Sequence, residues 1–150
     1  MVKWLTKISI GKLVLCGIIY TVVAMIIRNV EAILTMKYYV MPEYFGVWSK
    51  LMMPSAGPPP ASFIITSLIM SFVSGVSLGL VYYYIRDMLP KEFAKRVFFF
   101  ADLTVGLQFV FFTLPVYLMF NVPVGLLISW FISSFMILLA VSYTFVRIIK

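Results

Sequence analysis

The chain has 150 residues, of which 63% are hydrophobic and 11% charged, and its net charge is +7. A soluble domain carries about 45–50% apolar and about 25% charged residues, and so short a chain has too little interior to hide the excess. The composition excludes a soluble globular domain, a disordered chain and a disulfide scaffold, and predicts an all-α membrane protein.

The positive charges lie between apolar runs. That distribution predicts a lipid bilayer as the chain's environment, and no nucleic acid. The sequence contains no His and a single Cys. These absences remove paired-His haem ligation, Ser-His and Cys-His catalysis and any disulfide within the chain. No cofactor is implied, and the chain is expected not to be an enzyme.

The first element opens with Lys3, Lys7 and Lys12 ahead of an apolar run. The run reaches Ile27 with no small-residue cleavage site close behind it, so an uncleaved anchor helix is expected rather than a secretory signal. Leu15 before Cys16 argues against a lipoprotein signal, and Cys16 is expected to be a buried thiol. Gly17, Thr21, Ala24, Arg28, Glu31, Thr35 and Tyr38 recur at spacings of three and four, which places them on one helical face. The first helix is therefore read as continuous over about residues 8–41, with this stripe turned towards protein.

The loop from Pro42 to Pro60 is apolar, and Phe45, Trp48 and Met52 recur at helical spacing. This predicts a short helix lying in the membrane interface, as a simple anchor or as a lid or docking surface. Pro58, Pro59 and Pro60 end the loop in an extended form. Three further helices follow, over residues 61–86, 97–120 and 123–147, and the whole chain forms a single domain. None alternates with period two, which disfavours a β-barrel. Pro115 is expected to kink the third helix, and Asn121 with Pro123 to start the fourth.

The expected fold is a four-helix transmembrane bundle. Nine of the twelve basic residues fall on the side of the two termini. By the positive-inside rule both termini are then cytoplasmic.

Ser67, Ser71, Gly75 and Gly79 are spaced four apart on the second helix, and Gly125, Ser129 and Ser133 repeat the pattern on the fourth. Such stripes let backbones approach closely, either within the chain or at a subunit interface. Arg28 and Glu31, three apart, are positioned to pair; Arg28 lies 16 residues beyond Lys12, about 24 Å along a helix and within reach of the far headgroups. Asp102, six residues after Arg96, sits about 9 Å along the third helix, where Arg147, Arg86 or Arg96 is placed to neutralise it. Gln108, with Thr104 four residues earlier, suits an interhelical hydrogen bond. Arg28, Glu31, Asp102 and Gln108 form the candidate intramembrane polar site. Structural pairing is the plainer account of them and an ion or substrate site the sharper one. The ten Met residues read as adaptable packing groups.

From Tyr84 onward the chain resembles a group of prokaryotic four-helix membrane proteins to which no function is attached. The shared features are Tyr84–Arg86 closing the second helix, Leu89–Pro90, Lys95–Arg96, Pro115 in an aromatic third helix, and Val122–Pro123 opening the fourth. The resemblance implies the four-helix architecture only; the membrane expected is a prokaryotic plasma membrane.

These features predict a structural or accessory subunit of a membrane assembly, or a homo-oligomer, whose partners are the bilayer and other membrane subunits or itself. The alternative is a small ion or solute transporter or channel using Arg28, Glu31 and Asp102. An enzyme acting on lipid or quinone has the weakest support, because no acid-base pair is close in sequence.

Overall fold

The computed structural model of the protein describes residues 8–55 and 57–149. Among them there is no strand. Four helices, Ile10–Tyr39, Ala61–Met88, Phe93–Met119 and Val124–Ile148, are each long and apolar enough to cross a membrane. We call them the first to fourth spans. Lys3 and Lys7 lie outside the described residues.

The spans pack in the order two, one, four, three. Ile8 and Ile149 join the same apolar cluster, so the two ends of the described chain meet at one end of the bundle, the terminal end. The 42–60 loop marks the opposite, loop end. Around the cluster at the terminal end, Tyr82, Phe100 and Phe145 are buried. Tyr82 meets Phe100 edge to face, with centroids 5.1 Å apart, which ties the second span to the third there. Towards the loop end the second span buries nothing: its buried residues are Gly75, Gly79 and Tyr82.

The first and second spans touch through glycine. A methyl group on Gly75 would lie 2.5 Å from Cβ of Tyr20, 2.8 Å from the carbonyl oxygen of Cys16 and 2.9 Å from Cα of Gly17. Only a residue without Cβ fits a helix crossing this close. Antiparallel register from Gly75–Gly17 then sets Ala61, the start of the second span, level with about residue 31. The first span continues past that point to Tyr39, covered there by the fourth span and the loop.

The third span starts at Phe93 rather than near Val97, so Lys95 and Arg96 are helical. Hydropathy marks where the apolar segment begins, whereas the helix begins where its hydrogen bonds do. Arg96 N–H already donates to the Glu92 carbonyl at 2.9 Å, and Lys95 pairs with Glu92 at 2.7 Å. Further along, residues Phe109–Thr113 form a π turn directly before Pro115. Pro115 has no N–H for the Phe111 carbonyl, and its ring crowds that group, so the helix widens by one residue there.

In the loop, a 3-10 helix covers Pro42–Val47. Trp48 then takes an extended backbone, φ −75° and ψ 138°. Phe45 therefore lies on a short helix that ends before Trp48 and Met52, and the three residues share no single helical face.

Candidate functional site

At the loop end a carboxylate is built into the helix packing. Glu31 is 8% exposed, because the first span turns it towards the fourth. Ser129 Oγ donates to Glu31 Oε1 across the helices at 2.8 Å. Thr35 Oγ1, one turn further along the first span, lies 2.8 Å from both Oε1 and the Glu31 carbonyl oxygen. One carboxylate oxygen thus collects two hydroxyls, which replace part of the hydration that an apolar surrounding denies it.

An aromatic cap sits over this cluster. Trp130, next to Ser129, donates its indole N–H to the Tyr39 hydroxyl at 2.8 Å. Trp48, brought back by the extended backbone after the 3-10 helix, packs on Tyr39 at 4.9 Å and on Trp130 at 6.2 Å. Tyr38 presents its hydroxyl to Gly125, where a side chain would displace the Tyr38 ring. Trp130, Tyr39 and Trp48 form this cap, yet spacing alone did not single out Trp130. The signal was available: an indole N–H six residues into an apolar helix needs an acceptor that lipid does not offer.

The four candidate polar residues do not converge. Glu31 is buried, whereas Arg28 is exposed on a different face of the same helix. No ion pair joins Arg28 to Glu31 among the described residues. The spacing of three is compatible with pairing, but the buried face passes through Ala24, Glu31 and Thr35 and leaves Arg28 to one side. Gln108 is half-buried at the end of the regular part of the third span. Thr104 does not reach it; its hydroxyl lies 2.9 Å from the carbonyl oxygens of Phe100 and Ala101.

Asp102 is exposed on the third span. It lines a shallow external groove of about 600 Å³ with Lys95, Phe98, Phe99 and, from the fourth span, Phe135. The three arginines placed to neutralise it are engaged elsewhere. Arg96 Nε donates to the Pro90 carbonyl at 2.8 Å. Arg86 lies over the Tyr83 ring and 3.6 Å from Asp87, and Arg147 lies over the rings of Tyr143 and Phe93. No ion pair to Asp102 is present among the described residues.

The small-residue stripes face inward where the spans cross. Gly75 and Gly79 are buried against the first span, while Ser67 and Ser71, nearer the loop end, are half-buried. Gly125 and Ser129 meet Tyr38 and Glu31 of the first span, and Ser133 donates to the Trp130 carbonyl at 3.0 Å. Phe45 is 36% exposed, and Met52 is half-buried beside the buried Met53.

Comparison with family models, with curated proteins and with solved structures finds no match to this chain.

Proposed function

We propose that the protein is a non-catalytic subunit of a membrane assembly, either an accessory component of a larger complex or a homo-oligomer. The exposed Asp102 carries this reading. Lipid covers exposed Phe and Ile side chains without penalty, but it offers a carboxylate no partner. Asp102 lies within the third span, about 9 Å beyond Arg96. A carboxylate facing lipid there costs less than the ~2.5–3.5 kcal/mol of a helix centre but still has no partner, and the short Asp side chain cannot snorkel as Lys and Arg do. A neighbouring subunit supplies what lipid does not.

In this reading both termini are cytoplasmic, since the basic residues gather at the terminal end. The Pro42–Val47 helix and the loop around it lie in the opposite interface, and the membrane is a prokaryotic plasma membrane. A solute path through Arg28, Glu31 and Asp102 has less support, because only Glu31 faces the interior of the bundle.

The test is purification in mild detergent, with the mass of the particle measured by light scattering and co-purifying proteins identified. A particle heavier than one chain, or a stoichiometric second protein, is expected. A clean monomer with nothing attached refutes the reading.

A further inference from the structure

We propose that the Asp102 groove receives the first span of a second copy of this chain, and that Lys12 of that copy pairs with Asp102. The proposal rests on the subunit reading above and names the partner.

Lys12 is the matching charge. It is exposed in the first turn of the first span and has no ion-pair partner among the described residues. Its depth also matches. Cβ built on Gly79 would lie 3.1 Å from Cys16 and 3.6 Å from Leu13, so Gly79 is level with that turn of the first span. Tyr82, one turn nearer the terminal end, is then about level with Lys12, and Phe100 packs on Tyr82. Asp102 is two residues beyond Phe100, about 3 Å deeper. The flexible stem of Lys12 covers that difference.

Shape and polarity agree with charge. From Lys12 an exposed apolar stripe continues through Leu15, Ile18 and Val22. When Lys12 meets Asp102, the side chains of Phe98, Phe99 and Phe135, all more than 40% exposed, flank the Lys12 turn. The stripe runs deeper, alongside the exposed Phe109 of the third span and Ile128 and Ile132 of the fourth. Within one chain the two charges cannot meet, because the fourth span separates the first from the third. The contact therefore joins two different surfaces, head to tail, and such contacts close into rings when the rotation permits.

The experiment reverses the charges one at a time and then together, in the full chain, by light scattering in mild detergent. Lys12→Glu and Asp102→Lys are each expected to weaken association about threefold to tenfold, in line with the strength of polar contacts between membrane helices. The double variant is expected to recover it. Helical circular dichroism of each variant separates lost association from lost folding. A photo-crosslinker at Phe98 is expected to capture a peptide of the first span containing Lys12. Wild-type oligomers that both single reversals leave intact, or that the double variant fails to restore, overturn this inference while the subunit reading stands. Capture of lipid or of a different protein at Phe98 does the same. A wild-type monomer with no partner overturns both.

Discussion

Gly75→Ala tests whether the first two spans are held by close backbone approach. In the structure the added methyl lies 2.5 Å from Cβ of Tyr20 and under 3.0 Å from two backbone atoms, the Cys16 carbonyl oxygen and Gly17 Cα. Carbon atoms pack at about 3.5–4.0 Å. A rotamer change relieves none of these contacts, because each involves backbone or Cβ. The helices must part by about 1 Å at the crossing, and the loosened contact extends to Gly79 and Gly17. Overpacking of this kind costs about 1–3 kcal/mol. Gly106→Ala is the control. No described residue lies within 4 Å of its added methyl, and Gly106 is in the interior of a helix, where Ala is favoured by about 0.8–1.0 kcal/mol. Thermal unfolding in one detergent, followed by circular dichroism, should therefore show the two variants moving in opposite directions. Equal stabilities, or a Gly75→Ala protein more stable than wild type, would refute the argument that this crossing excludes a side chain.

Three further substitutions probe the polar and aromatic groups. Glu31→Gln keeps an acceptor for Ser129 and Thr35, so its unfolding midpoint should change less than that of Glu31→Ala; a Glu31/Ser129 double-mutant cycle should give a coupling of about 0.6 kcal/mol, with about 1.7 as the upper bound. Trp130→Phe keeps the ring but loses the donor to Tyr39, and is expected to lose about 1 kcal/mol of stability, with no further loss when Tyr39→Phe is added. Ser142 is buried and its hydroxyl has no hydrogen-bond partner among the described residues, so Ser142→Ala should be neutral or stabilising in the same unfolding assay.

The bundle was legible because the bilayer makes composition informative. A helix of about 20 apolar residues has few alternatives in lipid, and period 3.6 placed Gly17, Ala24, Glu31 and Thr35 on one face before any contact was known. Local chemistry read less well. The start at Phe93 was hidden because Lys95 and Arg96 are polar yet helical. The loop misled for a related reason: Phe45, Trp48 and Met52 keep helical spacing, but Pro42 favours a tight 3-10 start and the chain opens at Trp48.

The charged residues show where periodicity stops discriminating. Arg28 and Glu31 fall within one stripe, but a stripe of seven residues drifts round the helix, and three positions separate a residue facing protein from one facing lipid. Glu31 sets one carboxylate oxygen against the hydroxyls of Ser129 and Thr35, while Arg28 is exposed and pairs with no carboxylate among the described residues. Asp102 has the opposite outcome: its nearby arginines bind a carbonyl and aromatic rings instead. A sequence shows that three cations are near an acid; it does not show that each already has a better acceptor. Asp102 lies off the buried face formed by Val97, Phe100, Ala101, Thr104 and Val105, and it is left exposed with no ion-pair partner among the described residues.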